Sequence, residues 1–205
     1  MRHFLWILAA LALALAGTGR ARAEIIITFS PNGANVDAKA MGSLNLTGLT
    51  FVTSLNINAG VEGDPVDFNL GNPGFVNPTD IYGGIMGPSS IGPGGFTQVS
   101  TGPGPSVGVD EFAGAAEIFV PAGYHSGDQL TSSATWDNTT ISGLGLTPGT
   151  YTWTWGSGPT ADDIKVVISA TPVPEPSSLI LAAMGIGVVG CCIAIRRRRT
   201  AAALA

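Results

Sequence analysis

Between the two ends of the chain the residues with chemical capability are few. His125 stands in Gly123-Tyr124-His125-Ser126-Gly127, a turn-like setting that predicts a surface loop. Serine, histidine and an acid can assemble across space into a hydrolytic triad, so a hydrolase is one reading. No His-Glu-x-x-His occurs, however, and one histidine cannot supply a zinc site of the usual kind, so neither a metal nor a cofactor is expected. Acids occur in close pairs at Asp64 and Asp67, Asp110 and Glu111, and Asp162 and Asp163. Two of them could act as glycosidase carboxylates or as oxygen ligands for calcium, but their spacing fits no calcium loop, and solvated turn acids are the simpler expectation.

A row of aromatics offers a different chemistry. In Thr150-Tyr151-Thr152-Trp153-Thr154-Trp155 the two-residue period of a strand puts Tyr151, Trp153 and Trp155 on one face and the threonines on the other. Exposed, and joined by Trp136, they would form a flat platform on which sugar rings stack, making the domain a carbohydrate-binding module. Buried, they would be core, contributing large apolar area against a facing sheet. The second arrangement is the expected one, because the chain has only four tryptophans and losing two from the core would leave it thin.

The elements that must position these residues read as all β. Glu24–Phe29, Leu44 to Phe51, Ala116–Val120, Gln129–Trp136, Thr150–Trp155 and Ile164–Ile168 are short runs of β-branched, aromatic or alternating residues, parted by Gly, Pro, Asn and Asp clusters. Val36–Met41 could form a single helical turn. Such spacing predicts an antiparallel β-sandwich, immunoglobulin-like or jelly-roll-like, over residues 24–171. Pro148-Gly149 suits the centre of a type II turn, and Leu146-x-Pro148-Gly149-x-Tyr151 resembles the tyrosine corner of immunoglobulin-like sandwiches. From Gly83 to Gly108 glycine and proline crowd the chain, which predicts a long surface loop with a short strand around Phe96–Ser100.

Both ends are of another kind. Met1-Arg2-His3, the apolar run Phe4–Ala16 and the small residues Ala21 and Ala23 make residues 1–23 a secretory signal peptide, cut by signal peptidase before Glu24. At the other end Val173-Pro174-Glu175-Pro176 cannot begin a helix, since proline fixes φ and lacks a donor. Ser177 or Ser178 can then cap a charge-free run of seventeen residues, 179–195. At 1.5 Å per residue that run is about 25 Å long, at the short end of what crosses a bilayer. Arg196, Arg197, Arg198 and Arg199 stop it and keep the short tail 200–205 on the cytoplasmic side. Within the run Gly185-Ile186-Gly187-Val188-Val189-Gly190 fits a dinucleotide-binding pattern, but no strand precedes it, and the glycines read as packing positions of a transmembrane helix.

Proline-flanked Glu175, the apolar run and the arginine cluster, over residues 172–199, resemble the PEP-CTERM sorting signal of exported proteins in Gram-negative, often biofilm-forming bacteria. The resemblance implies recognition by exosortase, a membrane-embedded cysteine protease that cuts near Val173-Pro174-Glu175-Pro176-Ser177 and passes the protein beyond the inner membrane. The stretches Ala134-Thr135-Trp136-Asp137-Asn138-Thr139-Thr140 and Leu144–Gly156 are also similar to a segment that recurs upstream of that signal in families with no assigned activity.

Charge and cysteine then bound the function. Seven of the nine basic residues lie in the two end segments, leaving Lys39 and Lys165 against fourteen acids, a net charge of −12 for the exported part. Such a domain has no footprint for nucleic acid. Both cysteines, Cys191 and Cys192, fall in the apolar run, so the domain has no disulfide and no thiolate nucleophile. The expected protein is a non-catalytic structural or interaction component of the cell surface or extracellular matrix. It would be held in the inner membrane only transiently and would associate with extracellular polysaccharide; a permanently anchored periplasmic protein is the alternative.

Overall fold

The computed structural model describes residues 24–171. The signal peptide, the sorting motif with its span 179–195, the arginine cluster and the tail lie outside the described residues. No helix among those described is long and apolar enough to cross a membrane.

Twelve strands form two sheets: β1 (Glu24–Asn32), β2 (Asn35–Gly42), β3 (Thr50–Asn58), β4 (Gly60–Glu62), β5 (Asp67–Leu70), β6 (Phe75–Gly83), β7 (Thr97–Gln98), β8 (Val107–Phe112), β9 (Ala115–Pro121), β10 (Leu130–Trp136), β11 (Gly149–Trp155) and β12 (Asp162–Ile168). The smaller sheet runs β10-β2-β1-β12-β11 and the larger β3-β6-β9-β8-β5-β4-β7. All pairings are antiparallel except β1 with β12, which run parallel from Glu24↔Asp163 to Phe29↔Ile168. That pair corrects the purely antiparallel expectation. The first and last strands of the domain are central neighbours, as a chain that starts and finishes in the same sheet allows.

Alternation decides which side each strand buries. In β1 Ile25, Ile27 and Phe29 point into the core, and in β2 Val36, Ala38 and Ala40 do the same while Met41 faces water. The expected helical turn at Val36–Met41 is therefore a strand. Alanine, lysine and methionine favour a helix when alone, but β2 is flanked by β1 and β10, and ladders on both sides override a weak local preference. Leu44 and Leu46 precede β3 in an irregular segment, where both are covered by the core.

One core lies between the sheets. Phe29 of β1 meets Phe68 of β5 edge to face at 5.9 Å and stacks on Trp136 of β10 at 5.7 Å, and Phe68 meets Trp153 of β11 at 6.0 Å. Val61, Phe68, Val109 and Ile118 are register partners across four strands of the larger sheet, all fully buried on the face toward the smaller one. Burying each of these side chains contributes about 2 kcal/mol before entropy is charged against it.

The Gly/Pro-rich segment between β6 and β8 is built into this body, which corrects the surface-loop expectation while keeping its short strand, β7. Ile85, Ile91 and Val99 are buried in the core. Met86 exchanges backbone hydrogen bonds with Thr154 on the outer edge of β11, at 2.9 and 2.8 Å. Thr97–Gln98 pairs with β4. Ser100, Thr101 and Pro103 bond the free edge of β10 through Thr135 and Ser133. Glycine makes the close approach feasible: a Cβ on Gly94 would stand 2.1 Å from the Leu144 carbonyl oxygen. One segment thus engages the edges of β10, β11 and β4.

Candidate functional site

Of the two arrangements open to the aromatic row, the structure shows the expected core, and the alternative sugar platform is corrected by burial. Trp136, Trp153 and Trp155 are only 1%, 0% and 3% exposed, and Tyr151 is half-buried against the same core. The strand period places the aromatics on one face as expected, but that face is the inner one, where large apolar area is removed from water. Two of the three indole N–H groups are used internally, while the buried Trp153 Nε1 has no hydrogen-bond partner among the described residues. The Trp155 Nε1–H donates to the Asn45 carbonyl at 2.7 Å and the Trp136 Nε1–H to the Thr97 carbonyl at 3.0 Å. Tyr151 does make the corner: its hydroxyl donates to the Thr147 carbonyl at 2.9 Å. The type II turn is corrected, because Gly149 has no positive φ and instead pairs with Ile168 as the first residue of β11, under the folded-back Tyr151 ring.

His125 is exposed, with Nδ1 3.6 Å from Asp128, so an acid does stand beside it. The neighbouring Ser126 hydroxyl accepts from the Leu46 amide, at 2.9 Å. A serine with nucleophile-elbow spacing stands in Gly104-Pro105-Ser106-Val107-Gly108. Ser106 is buried and donates to Asn69 Oδ1 at 2.7 Å, in a segment that enters strand β8 rather than a helix. Neither serine is shown with its hydroxyl directed at His125. The loop is organised instead by Tyr124, whose hydroxyl accepts from the Leu44 amide at 2.8 Å and reaches the Asp128 carbonyl at 2.8 Å. Its ring is half-buried, and burial pushes the phenol pKa up.

The acids are rearranged by pairing. Asp67 stands opposite Asp110, with Glu62 beyond Asp67 and Glu117 beyond Asp110, so four acids from β4, β5, β8 and β9 form one row across the larger sheet. Alternation puts this row on the face away from Phe68 and the core. Both lysines of the domain sit on the other sheet, Lys39 in β2 and Lys165 in β12, where Lys165 pairs with Glu24. Like charges directly opposite on a sheet repel, so the row resists full ionisation. Burial first, then the Asp110 and Glu62 carboxylates, raises Asp67 to about 7. Asp110 is raised to about 6 by burial and Glu117, against a lowering hydrogen bond from the Glu111 amide. Burial alone raises Glu117. The row can hold protons near neutral pH. Among the described residues no group of three or more His, Cys, Asp or Glu is placed to hold a metal ion.

Sequence neighbours were thus the wrong pairs to consider. Asp162 is buried, its Oδ2 accepting from the Asn45 amide at 2.6 Å, and it serves structure. The Asp67–Asp110 partnership leaves no local trace, since its members are far apart in the chain and meet only through the register of β5 with β8.

The described residues define a class, an all-β protein of two facing sheets, and the address comes from the part beyond them. Residues 172–199 match the PEP-CTERM protein-sorting motif. The motif implies an exported protein that is processed by exosortase and sorted to the cell envelope or surface. Comparison with curated proteins and with solved structures finds no match. Val173, Pro174, Glu175, Pro176, Ser177 and Arg196 to Arg199 all fall within the match. Of the signal-peptidase residues Ala21, Ala23 and Glu24, only Glu24 is described, and it opens β1.

Proposed function

We propose that the exported domain is a non-catalytic structural or interaction protein of the extracellular matrix, with its membrane segment a transient handle removed by exosortase. The observation that carries this reading is the position of the motif relative to the fold. β12 ends at Ile168 and the matched residues start at 172, so a cut near Pro174 to Pro176 falls beyond the last strand and leaves every ladder of the domain intact. The engagement of Ser106 with Asn69 and of Ser126 with the Leu46 amide supports an interaction role over a hydrolytic one. Association with extracellular polysaccharide would then use an outer surface rather than the buried aromatic row.

Mass spectrometry of the mature protein from a producing cell tests the reading. The expected result is a C-terminus near Pro174 to Pro176 and no peptide from 179–195. Recovery of an intact 179–195 peptide from protein at its final location would overturn it and favour permanent anchoring.

A further inference from the structure

Four sheet edges had to be dealt with in this fold, and the chain treats one of them differently. The segment between β6 and β8 bonds β10 at Ser133 and Thr135, meets β11 at Thr154, and pairs its own two-residue strand β7 with β4, so that β7 becomes one outer strand of the larger sheet. β3, the outer strand at the opposite end of that sheet, pairs with β6 on one side, and among the described residues no strand or loop pairs with its other side. It is also nine residues long and carries no charge, in the sequence Thr50-Phe51-Val52-Thr53-Ser54-Leu55-Asn56-Ile57-Asn58. Phe51 and Leu55 are 53% and 47% exposed, and Val52 lies beside them, with Phe75 and Val76 of the adjoining β6 also exposed. Long, uncharged, apolar edges invite strand addition, and lysines or prolines are the usual protection. Neither occurs within β3.

We propose that β3 is a self-association edge, on which a second copy of this chain adds its own β3 antiparallel to extend the larger sheet across a two-fold axis. Three observations select a second copy as occupant. First, antiparallel pairing of a strand with itself is isologous, and centring it on Ser54 opposes Thr53 to Leu55 and Phe51 to Ile57, with no charge facing a charge. Register is confined because shifts at Phe51/Thr53 and Ile57/Asn58 bound the regular run Thr53–Ile57.

Second, two domains that each carry thirteen acids against two lysines over residues 24–171 repel over most of their surfaces, and a neutral seam is where they can approach. The nearest carboxylate on β6, Asp80, is already engaged by the Ser54 hydroxyl and the Gly123 amide. Third, β3 is the longest of the outer strands among the described residues, and isologous pairing uses its open side on both copies at once, which closes the assembly as a dimer. A nine-residue strand is about 30 Å long, and pairing along it covers on the order of 1,200 Å² in total, the lower limit for a specific interface. The dimer is accordingly weak, with dissociation in the micromolar range.

Sedimentation velocity on the protein as the cell exports it, over a concentration series, tests this. The expected result is a reversible monomer–dimer equilibrium that Leu55→Lys and Thr53→Glu each weaken at least about tenfold, with near-ultraviolet circular dichroism unchanged. Ser54→Cys supplies a readout if a charged variant fails to fold. Under oxidised glutathione it should trap a covalent dimer absent from the parent chain and from Thr154→Cys, where Met86 already bonds the outer side of β11. A parent protein that stays monomeric at millimolar concentration would overturn the proposal. So would a dimer indifferent to both charged variants, or a monomer that accepts an unrelated extended peptide along β3 but not its own copy.

Discussion

Replacing Asp67 by asparagine should stabilise this protein at alkaline pH, which is the reverse of what removing a half-buried polar group ordinarily does. In the folded state Asp67 titrates near 7 against an ordinary value of 3.8, chiefly through burial and then through Asp110 and Glu62. A folded-state pKa above the unfolded one means that the folded chain holds more protons between those values. Stability is therefore highest below about pH 4, falls as pH rises through about 7, and is level above that. Three pH units correspond to about 4 kcal/mol at 1.36 kcal/mol per unit. Solvent screening and local relaxation at a partly exposed site reduce this to about 2 kcal/mol. Asparagine keeps the shape and removes the charge. The melting temperature of Asp67→Asn at pH 8 should rise by roughly 4–8 °C over the parent, and the gain should vanish at pH 3.5. Differential scanning calorimetry at the two pH values decides it. A variant that is less stable than the parent at pH 8, or a gain that persists unchanged at pH 3.5, would refute the strain assigned to the acid row.

Two further substitutions probe the contacts that hold the loops. Gly94→Ala should cost about 2 kcal/mol by overpacking, because the new methyl meets the Leu144 carbonyl where the edge-covering segment docks, and hydrogen exchange should quicken at Gly63 and Gly94. Tyr124→Phe should cost about 1–3 kcal/mol in urea unfolding, because it leaves the Leu44 amide without its acceptor. A loss below about 0.5 kcal/mol would show that water replaces the hydroxyl there.

Strands with strong local character were legible in advance. β1, β9, β10, β11 and β12 were placed from isoleucine, valine, threonine and tryptophan runs, and the internal bond of Tyr151 from a six-residue pattern. β2, β4, β5, β6 and β8 were not. β2 is written in alanine and lysine, β4 and β5 are three and four residues long, and β6 carries Pro78 in its middle, so each is a strand because of what lies beside it. The Gly/Pro-rich segment misled for a related reason. Its composition announces irregular backbone, but it says nothing about whether that backbone finds partners, and here Thr154, Thr135 and Gly145 provide them.

The sequence by itself determined the all-β class, the absence of cysteine and the acidic charge of the domain, and the sorting motif at 172–199, because each is written in residue type or in spacing within one segment. Tertiary structure alone decided that the tryptophans face inward, that Asp67 meets Asp110, and that β3 is the edge left open. These depend on which strands become neighbours and in what register: a one-residue shift of β5 would turn Asp67 toward the core, and one of β11 would turn Trp153 and Trp155 toward water.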